Sequence, residues 1–513
     1  MKLFLDLDFS HFGRDRFFFG VANAPYLAEG GLNTPDGPKN SYGFLEQSGD
    51  FPVSGEGTRY WTDYQAHIDL AQSLGLTAFR TGIEWARVQP TRDLAAGPAP
   101  AWDEDALDRY ADIILQVQRA GMEPIITLHH FTHPAWLGPI FWTDENAPDP
   151  MVEYEVSVVE KLSSRLVALG GEPIGHMITF NELNLIPLLY FGAHVPVKDR
   201  EESFKNYPIV YDNILSAHMR VYDGIKDLYE DRGWANPLVG FGTATQSPYE
   251  FDRLMLDIAR LRSWSVKRED AESFLAQKKR DWDTQLGGLA RRQLTDEQLD
   301  YREGFLSWAS ASVQPMAFTK TLDAIYGSSR AEKIDYISAN VYEPFGVERS
   351  RGDSDRSPKW WEFAVDGDIY RTMIHAYNDG NTDLPIFMGE NSIAYKQVPG
   401  EAAEPRPDGW SRERYLKTYF MEMIRCIAEG VPIKGYLYWS LVDDFEWNAG
   451  FPPRLGLYNY DYETHAIGST DGLGEPAGDI YAWLIDALRS GDKARVREAF
   501  VNSYAYAQRT GRV

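Results

Sequence analysis

The chain has 513 residues, a formal net charge of −25, 43% hydrophobic and 25% charged residues, and one cysteine, Cys426. This is an ordinary globular composition, long enough for two or three average domains or one barrel with long loops, and it excludes an internal disulfide. The acidic excess repels phosphate, which argues against nucleic acid as a partner, and no apolar run reaches the roughly 18 residues of a membrane span.

The N-terminus, Met1-Lys-Leu-Phe-Leu-Asp-Leu-Asp8, is acidic by residue 6 and has no apolar signal core, so a soluble cytoplasmic protein is expected. Phe17 to Ala24 is a short apolar run closed by a turn-rich stretch, a first strand and its loop. Arg59 to Gly75 spaces Trp61, Tyr64, Ile68, Ala71 and Leu74 as a helix does. Leu76 to Trp85 then has the pattern of a strand. Leu107, Tyr110, Ala111, Ile114 and Val117 mark a second helix, closed by Gly121, and Glu123 to Phe131 is strand-like.

The alternation continues with a helix near 151–169, a strand over His176–Glu182, a helix near 207–229 and a fifth strand over Leu238–Thr245. A charge-rich, partly helical segment near 246–332 interrupts it, with Trp282 and Trp308 in polar settings. Lys333–Tyr342 is a sixth strand, a helix near 369–377 leads to a strand ending at Glu390, and a helix over 412–429 leads to an eighth strand, Pro432–Leu441. Cys426 lies on the amphipathic 412–429 pattern, where a buried, inert thiol is expected. Val496, Phe500 and Tyr504 place a helix in the last stretch.

Short apolar strands separated by helices are parallel βα units. Eight of them make a closed (β/α)8 TIM barrel the economical α/β architecture, with an open doubly wound sheet as the alternative. The expectation is one catalytic domain over 1–513, with long βα loops, 246–332 inserted between strands 5 and 6, and 490–513 as a C-terminal helix.

Such a barrel carries its active site at the C-terminal strand ends. Arg80 and Trp85, His129-His130-Phe131, Asn181-Glu182, Asn340 and Tyr342, Glu390-Asn391 and Trp439 all fall there. Aromatic faces pack on the C–H face of a sugar ring, and amides and charges bond its hydroxyls. Glycosidic cleavage needs one carboxyl protonated for the leaving group and one ionised to attack or to activate water. Arg80 beside one carboxylate would hold it ionised.

Rival motifs are weaker. His129, His130 and His133 lack an HExxH or paired acidic ligand, so no metal is expected. Gly240-Phe-Gly242 lacks the third glycine of a dinucleotide fingerprint. No P-loop, G-x-S-x-G elbow or CxxC is present, and no cofactor is expected.

Thr179-Phe-Asn-Glu182 resembles the acid/base motif of glycoside hydrolase family 1, the β-glucosidase family. Phe387-Met-Gly-Glu-Asn-Ser392 resembles its nucleophile motif, and Trp439-Ser-Leu-Val-Asp-Asp-Phe-Glu-Trp447 its Trp-Ser-x-x-Asp-Asn-Phe-Glu-Trp signature. Phe18–Gly30, Phe79–Trp85 and Asp335–Tyr342 match in order, so the resemblance spans roughly 17–462. It implies a retaining exo-β-glycosidase acting on a small-molecule glycoside, with Glu182 as acid/base and Glu390 as nucleophile, their carboxyls about 5–5.5 Å apart. Arg80 and Tyr342 would support Glu390, and Asn181 would bind the 2-hydroxyl. His130, Asn340, Glu446 and Trp447 would bind further hydroxyls, and Trp439 would be the stacking platform. Glu446 argues against a phosphorylated sugar.

The departures from the family pattern concern the sugar. Leu27 stands where the family has a glutamine that pairs with two sugar hydroxyls, a loss of roughly 1–3 kcal/mol if the hydroxyls stay unpaired. Leu183, Gly389 and Ser392 replace a proline, a threonine and a glycine. A transglycosidase with an alcohol or lipid acceptor, and a non-catalytic sugar-binding protein, are the other readings. The 246–332 segment is a decorated loop, a homo-oligomer contact or a substrate-facing lid.

Overall fold

The computed structural model describes residues 8–191, 206–353, 356–378 and 384–511. The acidic start over 1–7 and the end of the expected C-terminal helix, 512–513, lie outside these residues. Eight parallel strands, β1 (Phe18–Ala22), β2 (Ala78–Gly82), β3 (Glu123–His129), β4 (His176–Phe180), β5 (Leu238–Ala244), β6 (Tyr336–Asn340), β7 (Ile386–Asn391) and β8 (Ile433–Trp439), form a closed barrel in sequence order. Phe18 to Ala22 pair with Gly435 to Trp439 to complete the ring. The architecture is the (β/α)8 barrel.

Every residue of β2, β6 and β7 is buried. Strands filled on the inside and covered by helices on the outside have no polar face, which is why they are near-continuous apolar runs. The covering helices include α1 (Tyr60–Ser73), α2 (Glu104–Arg119), α3 (Pro148–Ala168) and α4 (Tyr207–Arg232). On α2 the buried stripe contains Leu107, Tyr110, Ala111, Ile114 and Val117, and Asp103 caps the helix by accepting from Ala106 N at 2.9 Å.

The segment between β5 and β6 is more helical than its charge suggested. It contains α5 (Ala271–Gln293), α6 (Asp296–Ser312) and α7 (Thr319–Gly327). Trp282 is buried and donates to Ser247 O at 2.9 Å, so α5 braces the end of β5. Helices α8 (Gly367–Asn378), α9 (Arg412–Ala428) and α10 (Ala477–Ser490) complete the ring. Cys426 is fully buried on α9, and burial pushes its thiol up to about 12.

The single helix expected over 490–513 is corrected to two, Lys493–Val501 and Tyr504–Arg509. Ser503 accepts from Tyr506 N at 3.3 Å and starts the second. An N-capping serine ends one helical register and opens another, which apolar spacing alone does not reveal.

Candidate active site

The C-terminal strand ends enclose a cavity of about 540 Å³ lined by His130, Asn181, Glu182, Tyr342, Glu390, Trp439, Glu446 and Trp447, among others. A larger hollow, about 710 Å³, opens at the opposite end and is lined by Asp8, His11, Arg16 and Lys434. Only the first gathers the strand-end carboxyls, and barrels of this kind place their chemistry at that end.

One guanidinium ties the floor of the cavity together. Arg80 on β2 is fully buried, and its Nη1 donates to Glu390 Oε1 at 2.8 Å and to Gly389 O at 3.0 Å. Its Nη2 donates to Asn181 Oδ1 at 2.6 Å and its Nε to Thr127 Oγ1 at 3.0 Å. On the other side Tyr342 OH donates to Glu390 Oε2 at 3.4 Å. Asn340 Nδ2 donates to Glu182 Oε1 at 3.0 Å and to Asn181 Oδ1 at 3.1 Å. Asn181 Nδ2 lies 2.9 Å from His130 Nε2.

Local backbone fits this arrangement. Glu182 has φ 42°, a left-handed conformation that costs of order 1–3 kcal/mol outside glycine. Leu183 N bonds to Gly242 O at 2.9 Å and Leu185 N to Glu182 O at 2.8 Å, which hold the turn. A Cβ on Gly242 would lie 2.9 Å from Glu182 N, so this glycine serves close approach and not a dinucleotide. At Gly389 a Cβ would lie 2.0 Å from Ser338 Oγ, so the serine hydroxyl fills the space a side chain would take there.

Burial raises the Glu182 carboxyl, and the nearby Glu390 raises it further, to about 8, against the lowering effects of Asn340 and Arg80. Burial also raises Glu390 above the ordinary carboxylate range, and the Arg80 charge and hydrogen bond, with Asn340 and Tyr342, offset part of that rise. Burial thus raises both carboxyls, and Arg80 favours the charged form of Glu390. The Asn340 amide lowers both carboxyls. Glu446 is raised by burial to about 8 and accepts from Trp439 Nε1 at 3.0 Å. Burial first, then Arg80, drives His130 well down, so it is neutral.

The description of glycosyl hydrolase family 1 matches residues 10–470 of this sequence. The chain belongs to glycosyl hydrolase family 1. It is 26% identical over 508 residues to the beta-galactosidase of Sulfolobus acidocaldarius, covering 88% of this chain and 91% of that protein. It is 25% identical over 478 residues to beta-glucosidase A of Thermotoga maritima, covering 87% and 93%. A solved family 1 b-glucosidase from Thermotoga maritima superposes with a TM-score of 0.64 at 19% identity, covering 92% of this chain and 97% of that one. The beta-glycosidase from Pyrococcus horikoshii gives 0.62 at 21%, covering 95% and 97%.

In this family 1 hydrolase several strand-end residues face away from the cavity. Trp85 opens the short helix Trp85–Val88 and stacks on Tyr154 at 4.2 Å. His129 packs among Trp142 and Phe180. Asn391 bonds backwards, donating to Val341 O at 2.6 Å and accepting from Tyr436 OH at 2.8 Å. Asn340, expected to bind substrate, is fully buried and is not among the cavity-lining residues; its amide donates to Glu182. His133 Nε2 lies 2.9 Å from Gly138 O, and no group of three or more potential metal ligands occurs among the described residues.

Leu27 is fully buried in the Pro25–Ala28 segment and is not among the lining residues. Its neighbour Tyr26 stacks on Trp447 at 5.4 Å. The sequence reading missed Thr127, which anchors Arg80, and Ser338, which fills the space beside Gly389. It also missed the outer wall of the cavity, where Leu185, Leu189, Val347, Trp360 and Phe363 lie. A run such as Leu185-Ile-Pro-Leu-Leu189 is more apolar than an ordinary loop and was the available signal for that wall.

Proposed function

We propose that this family 1 hydrolase is a retaining exo-β-glycosidase that removes a β-linked, glucoside-like sugar from the non-reducing end of its substrate. The observation that carries the reading is the pair of buried glutamates lining one strand-end cavity, of which Glu390 alone is bonded to Arg80. Glu182 is held acidic up to about 8, and Glu390 is paired with Arg80 at 2.8 Å. Glu390 Oε attacks the anomeric carbon while Glu182 gives its proton to the departing oxygen, forming a glycosyl ester and a free alcohol. Forming the ester removes the Glu390 charge that was raising Glu182. The Glu182 carboxyl then falls in pKa and can take a proton from the water that cleaves the ester.

The names of the relatives, beta-galactosidase and beta-glucosidase, support a β-linked hexose. His130, Glu446 and Trp447 would bind its hydroxyls, Trp439 would stack on its ring, and Asn181 would meet the 2-hydroxyl. Exo action is supported by the ring packing of Tyr26, Tyr42 and Phe131 around the cavity-lining Trp447. The deciding experiment is Glu390→Gly with an activated aryl β-glycoside. Turnover should vanish and return with azide, giving the α-glycosyl azide. Undiminished turnover, or a β-azide product, would sink the proposal.

A further inference from the structure

A carboxyl that the reaction above does not use lies behind Glu446. Asp444 is 2% exposed and stands two residues before Glu446, which is 1% exposed. Phe445, between them, packs on Tyr26 at 5.8 Å and on Phe451 at 5.1 Å. Glu446 lines the cavity, and Asp444 does not.

The surroundings give an ionised Asp444 little to accept from. Its Oδ1 meets Ser440 Oγ only at 3.5 Å, and that hydroxyl lies closer to Val442 O, at 2.7 Å. Its Oδ2 is buried and accepts from no donor among the described residues. The preceding Asp443 is served differently, with Gly456 N at 2.9 Å from its Oδ1 and Arg454 Nη1 at 3.7 Å from its Oδ2. What Asp444 meets is the Glu446 carboxyl, to which it is hydrogen-bonded. Carboxylates only accept, so a bond between two carboxyls requires a proton on one of them.

The neighbours decide which one. The mutual bond raises Asp444 and lowers Glu446, as it must when the first donates and the second accepts. Glu446 also accepts from Trp439 Nε1 at 3.0 Å, a contact that favours its charged form. Burial, Glu446, Asp443 and Glu390 all favour a neutral Asp444. An ionised Asp444 would add an unpaired charge to this buried cluster, which costs far more than keeping the proton.

We propose that Asp444 is a positioning residue: it stays a neutral acid and donates its proton to Glu446, holding that carboxyl between itself and Trp439. The inference rests on the reading of Glu446 as a sugar-binding group and adds what keeps it aimed. An amide in place of the acid would present a donor to the same oxygen without a titrating proton.

Infrared difference spectra of the wild type and Asp444→Asn at neutral pH read the proton directly. The variant should lack the C=O stretch of one protonated carboxyl, with no loss of carboxylate absorption. A loss of carboxylate bands instead means that Asp444 was ionised, and overturns the proposal.

The role is read from binding. The β-thioglycoside matching the best aryl β-glycoside is a neutral, slowly cleaved competitor whose Ki reports sugar binding without the chemical step. Asp444→Ala should raise Ki about tenfold, the low end for a hydrogen bond to a charged group. Asp444→Asn keeps a donor and should recover most of that loss. An alanine variant that binds as tightly as the wild type, or an asparagine variant as weak as alanine, overturns the role. Melting curves establish that each variant is folded; if Asp444→Ala is not, the infrared band decides alone. If the wild type cleaves no β-glycoside, the glycosidase reading fails, while the infrared result still tests the proton on Asp444.

Discussion

Arg80 donates to Glu390 at 2.8 Å across the barrel interior, from the second strand to the seventh, with the guanidinium at 0% and the carboxylate at 6% exposure. The same side chain reaches Asn181 on the polypeptide leading to Glu182. Both proposed reacting groups are thus referred to one rigid cation, and a change at Arg80 should disturb position and proton distribution together.

Arg80→Met leaves Glu390 buried without its cation, and breaking a buried pair costs about 3–5 kcal/mol. Because Arg80 lowers the Glu390 carboxyl, its removal lets burial push that group up. The acid limb of the kcat/KM profile should therefore move to higher pH, with kcat reduced by about 100-fold or more, as when a preorganised electrostatic partner is lost. A pH–rate profile on a folded variant checks it; an unmoved acid limb contradicts the assignment of Glu390.

The alkaline limb should follow Glu182 if it is the acid. A carboxyl raised to about 8 is acidic below that pH and ionised above it, so kcat/KM should fall as pH rises through about 8. Asn340 lowers this group, so Asn340→Ala should move the alkaline limb upward and also lower kcat by loosening both glutamates. A limb that moves down would argue against the placement of Asn340.

Glu155 on α3 offers a test away from the site. Among the described residues neither of its buried oxygens has a hydrogen-bond partner, and burial raises its carboxyl well above the usual range. A raised folded pKa means the native state binds more protons than the unfolded one above about pH 4.5. The stability it allows is present below that pH and is lost as pH rises toward the folded pKa. Glu155→Met should raise the melting temperature, and the gain should grow from pH 5 to pH 8. An equal or smaller gain at pH 8 would count against a neutral buried carboxyl.

Gly389→Ala should lower kcat strongly, because the new Cβ would meet Ser338 Oγ at 2.0 Å and Asn340 Oδ1 at 2.8 Å. Adding Ser338→Ala removes the first clash and should recover part of the loss. Equal single- and double-variant rates would show that the hydroxyl does not fill this space.

The barrel was legible because parallel strands buried on both faces leave short apolar runs, and α2 showed its stripe because one side alone meets the barrel. The site was less legible because adjacent strand residues point to opposite sides. Glu390 faces the cavity, so Asn391 turns outward to Tyr436 and Val341, although both stand at the same strand tip. Trp85 and His129 face packing and not the bowl for a related reason: a residue number locates a tip but not the direction of its side chain. Gly389 and Ser338 compensate across two strands, a relation no single stretch of sequence displays.

The depth of the Arg80–Glu390 pair separates the working charge of this protein from its formal net charge of −25. Dissolved ions screen charges at the surface within about 8–10 Å at ordinary ionic strength, but they screen a pair buried this deeply much less. Brine should collapse the electrostatic repulsion between molecules while changing the Arg80–Glu390 pair far less. Colloidal behaviour and turnover of an uncharged glycoside would then respond to salt independently.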